Sequence, residues 1–125
     1  AEQAAESLNT EVGSIVKSLL FKTEDGFVLC LVSGDRRCSL NKLKKIKNQK
    51  DISMASADQV KKVTGFSIGG VSPVGHLQQI EIFIDEKLNR FNNIYAAAGH
   101  PNCIFKIDFD NLTKITKGSI KNITE

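Results

Sequence analysis

Apolar and polar positions sort this chain into short, well-punctuated elements. Ala1 to Leu8 reads as the end of a helix, with Ala4, Ala5 and Leu8 along one side. Ser14 to Thr23 reads as a strand whose period-two alternation sets Ile15, Lys17, Leu19 and Phe21 on one face. Val16, Ser18, Leu20 and Lys22 fall on the other, which is the more polar of the two. Glu24-Asp25-Gly26 turns the chain into a second strand, Phe27 to Ser33, so a hairpin is predicted. Leu40, Leu43 and Ile46 recur at helical spacing behind Ser39, a suitable cap. Ser56-Ala57-Asp58-Gln59 matches a capping box, and Gly65 stands where a helix over Ala57 to Thr64 should stop. Ile80 to Asp85 alternates as a strand. Ile94 to Gly99 and Cys103 to Ile107 form a second hairpin, linked through Gly99-His100-Pro101-Asn102. A helix from Phe109 to Lys117 is ended by Gly118. This mixed order predicts an α+β (mixed α/β) domain with a curled, barrel-like mixed sheet and flanking helices.

Composition narrows the class. The 125 residues fit a single domain over 1–125, and 41% hydrophobic with 25% charged residues is ordinary for a globular chain. The longest apolar run, Phe27 to Val32, is far too short to cross a bilayer, so no membrane is expected. Three cysteines, Cys30, Cys38 and Cys103, contain no C-x-x-C pair, which speaks against disulfide and zinc frameworks and for a reducing, cytoplasmic setting. Two glycosylation triplets, at Asn111 and Asn122, lack a secretory context and are read as chance. A net charge of +3 suits a protein that touches a phosphate backbone without wrapping one. Lys42, Lys44, Lys45, Lys47 and Lys50, with Lys61 and Lys62 beyond, serve either that contact or a solvated helix face. The chain opens at Ala1 with no methionine, so an upstream segment is expected to be missing.

Candidate chemistry gathers at three places. Thr64 to His76 holds four glycines and Pro73; glycine lets backbone N–H groups approach a bound group closely, and proline stiffens the loop. Lys17 stands on the apolar face of its strand, where burial disfavours the charged amine. It should meet a carboxylate, carbonyl groups or a bound anion, or else reach water past a buried stem. His100 follows three small residues, Ala96 to Ala98, which leave room beside it. His76, closing the glycine loop, is the weaker histidine.

Taken in order, Ile15-Val16-Lys17-Ser18-Leu19-Leu20-Phe21, Thr64-Gly65-Phe66, Gly69-Gly70-Val71-Ser72-Pro73-Val74-Gly75-His76 and Tyr95-Ala96-Ala97-Ala98-Gly99-His100 resemble the YbaK/ProX-type aminoacyl-tRNA deacylases, relatives of the editing domain of prolyl-tRNA synthetases. Gly34-Asp35 and Leu40-x-x-Leu43 fit as well. The resemblance covers nearly the whole chain. It implies hydrolysis of the ester joining a wrong amino acid, such as alanine, to the end of a proline tRNA. It implies aminoacylated tRNA as partner, with a prolyl-tRNA synthetase as a second; no cofactor and no metal are expected, and a monomer is the default where the sequence leaves the oligomeric state open. Lys17 matches the family's active-site lysine, Gly69 to Pro73 its G-x-x-x-P loop, and His100 a histidine found in the synthetase-insertion branch. The cysteine-selective branch carries a basic residue at that place, so cysteine is less favoured here. Family members have about one more helix and strand ahead of the point where this chain begins, and those segments wall the pocket.

An aminoacyl ester is already reactive, so a positioned water, backbone donors and one cation suffice. Lys17, Gly69 and His100 are therefore the expected catalytic residues. Phe21, Ile68, Gly70, Val71, Ser72, Pro73, Ala98 and Gly99 are the expected substrate-binding ones. Two other readings stay open: a catalytically inactive tRNA- or synthetase-binding module of the same fold, and a nucleotide or small-molecule binder using the glycine loop.

Overall fold

The computed structural model describes residues 1–125. Helix α1 (Glu2–Leu8) ends at Asn9, and a 3-10 turn over Val12–Ser14 leads into β1 (Val16–Lys22). β1 and β2 (Phe27–Ser33) form the predicted hairpin, antiparallel from Val16 opposite Ser33 to Lys22 opposite Phe27. Its turn is closed by the Thr23 N–H donating to the Gly26 carbonyl at 2.8 Å and the Thr23 hydroxyl donating to Asp25 at 2.9 Å.

Both predicted caps form. Ser39 Oγ accepts the Lys42 N–H at 3.2 Å and starts α2 (Leu40–Lys47). The Ser56–Gln59 capping box starts α3 (Ala57–Thr64), which Gly65 ends at φ +84°. A short strand, β3 (Ser53–Met54), lies between these helices. Then come β4 (Glu81–Asp85), a 3-10 turn over Glu86–Arg90, the hairpin β5 (Ile94–His100) and β6 (Cys103–Ile107), helix α4 (Phe109–Thr116) and β7 (Ser119–Lys121). The last helix stops one residue earlier than its pattern suggests because Lys117 turns left-handed, φ 55°.

The main sheet is mixed, in the order β3-β1-β2-β4-β7, with β4 parallel to both β2 and β7. Its end strands β3 and β7 do not pair with each other. The β5–β6 hairpin is a sheet of its own, joined to β1 by a parallel bridge between Ile15 and Tyr95. Mixed sheet and flanking helices are thus as expected.

Both faces of the sheet are buried. Val16, Leu20, Leu29, Leu31 and Ile84 pack against α3, the β5–β6 hairpin and α4. Phe21, Val28, Cys30, Val32 and Phe83 pack against Leu43 of α2, Ile52 and Ile123. The face of β1 expected to be the more polar therefore carries the larger core, since Val16 and Leu20 outweigh Ser18 and only Lys22 is exposed. Asp85 is fully buried and holds the chain end in place, accepting the Ile123 N–H at 3.0 Å and the Thr124 hydroxyl at 3.1 Å. No helix is long and apolar enough to cross a membrane.

Candidate active site

β3 reaches only the end of β1, pairing Phe21 with Met54 and Lys22 with Ser53, and the Ala55 N–H adds one bond to the Leu20 carbonyl at 3.0 Å. Beyond that point the edge of β1 borders open space. A cavity of about 820 Å³ begins there, walled by Ile15 to Leu20, by α1, by Ala55 and Val60, and by Ala96 and Ala97 of the hairpin. That volume is in the range of small-molecule sites. Of the glycine loop, Ile68, Gly69 and Val71 line it. Gly69 stands at φ +89° with open space where a Cβ would be, so glycine is needed there for its backbone conformation.

Lys17 lines this cavity and is only half buried. Its Nζ donates to the Arg36 carbonyl at 2.7 Å, which is the carbonyl partner that its apolar position calls for. Burial lowers its pKa below the ordinary lysine value, with the Arg37 charge adding to the effect; Cys38 and Asp35 oppose it. The ammonium is thus less costly to discharge than a surface lysine, and it has donors left for a second acceptor.

The other expected residues divide. Gly70 does not line the cavity; a Cβ on it would lie 2.8 Å from Pro101 Cδ and 3.2 Å from the His100 carbonyl carbon, so this glycine lets loop and hairpin touch. Through that contact His100 adjoins the loop by its backbone. Its ring is exposed, and Nδ1 accepts the Asn102 N–H at 3.1 Å; Pro101 and Asn102, not His100, are the cavity-lining residues of this turn. Ala98 is exposed and Gly99, at φ +96°, packs under Phe66, so the two alanines before them line the wall instead. Ser72 is buried and supports the loop from within: its hydroxyl accepts the Val74 N–H at 3.2 Å and its carbonyl meets His76 Nε2 at 2.7 Å. His76 also meets Phe66 edge-on, ring centres 6.2 Å apart, and so braces the loop. Pro73 lines a second hollow of about 500 Å³ beside Gln78, Glu81 and Thr116. Phe21 is 3% exposed in the core on the α2 side and lies outside the cavity lining. It occupies the stretch of β1 that β3 covers, so the open edge ends just before it.

Three features of the wall escaped the sequence pattern. Tyr95 lines the cavity beside its bridge to Ile15. Glu6 is the one carboxylate among the lining residues. Ser18 Oγ is buried without a hydrogen-bond partner. The bridge is a long-range pairing and had no local signal; Ser18 had one, as a hydroxyl between apolar neighbours. No three His, Cys, Asp or Glu side chains come together as a metal-ligating group.

A cation and glycine-loop backbone thus share one small-molecule-sized hollow. Residues 1–115 match the aminoacyl-tRNA editing domain family. The chain is 40% identical over 92 residues to the proline–tRNA ligase of Thermosipho africanus, covering 74% of this chain and 16% of the ligase. It is 29% identical over 125 residues to EbsC of Enterococcus faecalis, proposed to be a Cys-tRNA(Pro)/Cys-tRNA(Cys) deacylase, covering 99% of this chain and 76% of EbsC. A solved structure proposed to be a trans-editing enzyme for prolyl-tRNA synthetase superposes with a TM-score of 0.95 at 36% identity, covering 99% of this chain and 78% of that one. The chain spans about a sixth of the ligase it matches. Sequence and fold agree: the chain belongs to the aminoacyl-tRNA editing domain family, of the YbaK type.

Proposed function

We propose that this domain is a trans-editing hydrolase that clears a small wrong amino acid, alanine foremost, from proline tRNA. The observation that carries the reading is Lys17 on the wall of the cavity that Gly69 also lines. The terminal adenosine carries phosphate and the aminoacyl group carries the scissile ester carbonyl. A cation suits the first and backbone donors suit the oxyanion that develops on the second. In this mechanism Lys17 anchors the adenosine end, the loop backbone at Gly69 and Val71 holds the ester carbonyl, and His100 orients substrate or water from the rim. Water attacks the carbonyl carbon, the tetrahedral intermediate collapses, and the ribose oxygen leaves with a proton. The step needs neither metal nor cofactor. Ile68, Val71, Ala96 and Ala97 give the cavity the apolar lining that a small aliphatic side chain would meet.

The proposal extends to setting: a monomer in the cytoplasm, met by the acceptor end of tRNA and working alongside a prolyl-tRNA synthetase. EbsC bears a name for cysteinyl substrates, so the choice between alanine and cysteine is the finer part of the reading.

One panel tests it. Proline tRNA charged with alanine, serine, cysteine or proline is incubated with the protein and with Lys17→Ala. Alanine is expected to be released fastest and proline retained, and Lys17→Ala should slow release by on the order of 100–1000-fold. Binding of all four without release would make the domain an inactive tRNA-binding module. An unchanged Lys17→Ala rate would remove the lysine from the mechanism.

A further inference from the structure

Two thiols that the proposed mechanism does not use lie beside Lys17. In the β1–β2 register Lys17 faces Val32 and Leu19 faces Cys30, so Lys17 and Cys30 are diagonal neighbours on one face of the sheet. Cys38 packs onto the hydrophobic cluster that contains Cys30, from the segment between β2 and α2. Its backbone is fixed there, bridged to Thr124 and flanked by the Ser39 N–H bond to the Ile123 carbonyl at 2.7 Å. Two residues earlier is the Arg36 carbonyl that receives the Lys17 ammonium. Cys30 is fully buried, whereas Cys38 is half-buried and open to a small oxidant.

The geometry points to an oxidative modification site: we propose that Cys38 and Cys30 are an attacking and a resolving thiol that close into a reversible disulfide under peroxide, and that closure disables Lys17. The charge distribution supports the assignment of roles. The neighbouring Cys30 thiol holds the Cys38 thiol below the ordinary cysteine range, and the Lys17 ammonium acts in the same direction against burial and Asp85. The Cys30 thiol is pushed up by its Cys38 neighbour and by burial, as suits the partner that waits. A lowered thiol within reach of solvent and next to a second cysteine has the features of redox-sensing pairs.

The chemistry balances. The Cys38 thiolate attacks one peroxide oxygen, the O–O bond breaks, and sulfenic acid and hydroxide form. The Cys30 sulfur then attacks Cys38 Sγ, the S–O bond breaks, and the hydroxyl leaves as water with the Cys30 proton. Peroxide gains the two electrons that the thiols lose, and a dithiol reductant returns them. Closure re-anchors the Arg36–Cys38 segment on Cys30 and so disturbs the Arg36 carbonyl that receives the Lys17 ammonium.

The functional half rests on the deacylase reading; the cross-link does not. The experiment treats the full chain and Cys103→Ser, which lacks the exposed third thiol, with hydrogen peroxide, then maps peptides without reductant and measures release of alanine from proline tRNA. The expected result is a joined Cys30–Cys38 peptide lighter by two hydrogens and deacylation slowed on the order of 100-fold, both reversed by dithiothreitol. Cys38→Ser should give no cross-link and a rate insensitive to peroxide, while Cys30→Ala should leave Cys38 to proceed to sulfinic acid. Free thiols after treatment, or Cys38 over-oxidised in the unsubstituted chain, would overturn the pair. A complete cross-link with an unchanged rate would overturn its action on Lys17. If the reduced protein releases nothing from any charged tRNA, the deacylase reading falls while the cross-link still decides the thiol pair.

Discussion

The two sides of the five-stranded sheet are built from the same strands yet do different work. On the α2 side one helix closes the surface: Leu43 is its only buried residue, and it completes a cluster with Phe21, Val28, Cys30, Val32, Phe83, Ile52 and Ile123. On the other side 14 buried residues form the larger core, yet this is the side that keeps a hollow. The cause is the origin of its cover. α3, the glycine loop and the β5–β6 hairpin come from separate parts of the chain; their side chains pack on Val16 and Leu20, but their backbone pairing along this edge is confined to Ala55 and the Ile15–Tyr95 bridge. A single amphipathic helix can seal a sheet face; three short pieces leave the strand edge between them uncovered. Lys17 stands where the two regimes meet, its amine tied to the Arg36 carbonyl and its flank on the cavity.

The largest effect that could break this division comes from Phe21. On the closed side Phe21→Ala should cost about 3–5 kcal/mol of stability through a cavity that cannot collapse, with deacylation per folded molecule retained. Ile68, 58% exposed on the open side, should show the reverse: Ile68→Ala stays within about 0.5 kcal/mol of the parent but raises KM for the charged tRNA. Urea unfolding and deacylation kinetics on both variants measure this. A Phe21→Ala protein that is stable but slow would mean that Phe21 reaches the substrate after all.

That pair also shows where sequence reasoning stopped. Local signals were legible: the Thr23–Gly26 turn, the Ser39 cap and the Ser56–Gln59 box each act over a few residues, and each formed. Lys17, Ile68, Gly69 and Val71 were legible as a group because a lysine on an apolar face and a glycine-rich loop are both locally unusual. Phe21 was not placed, because alternation gives the face of a strand but not how far along it a neighbour extends. β3 and β7, two and three exposed residues long, are held by partners distant in sequence and carry no periodicity of their own. His100 was expected beside the alanine wall. The ladder irregularity between Ala97 and His100, with Gly99 at φ +96°, interrupts the alternation and leaves the ring exposed.

A smaller effect separates two adjacent glycines on the open side. Gly70→Ala places its Cβ 2.8 Å from Pro101 Cδ and 3.0 Å from Pro101 N, so loop and hairpin must move apart. A displacement near 1 Å in a positioning element costs on the order of 100-fold in rate, and that is the loss expected in deacylation. Gly69→Ala meets no atom within 4 Å, and its cost is that of a left-handed backbone, about 1–2 kcal/mol. Thermal unfolding and deacylation of both variants rank them: Gly70→Ala should be the slower enzyme. If Gly69→Ala were the slower, the loop would depend on its own conformation more than on the hairpin it touches.

The smallest effect sharpens the boundary between the two sides. Asp35 Oδ1 accepts from Arg90 Nη2 at 3.0 Å, and the same Nη2 donates to Ser33 Oγ at 2.9 Å, tying the end of β2 to the Glu86–Arg90 turn just ahead of the Arg36–Cys38 segment. Burial works against the Asp35 charge, but the Arg90 hydrogen bond and charge, helped by Ser33 and Arg36, outweigh it and hold the carboxyl below its ordinary 3.8. A depressed folded pKa means that the unfolded chain binds the proton more readily. The stabilisation is therefore complete above the unfolded value and is lost as pH falls through the folded one. Asp35 is a third exposed, so Asp35→Asn should cost less than about 1 kcal/mol at neutral pH. The difference between parent and variant, followed by urea unfolding from neutral to strongly acid pH, should shrink to nothing. A difference that persists in acid would come from packing, since the Asp35 carboxyl occupies the space beside Gly13 that a Cβ would need, and the tether to Arg90 would then be packing rather than charge.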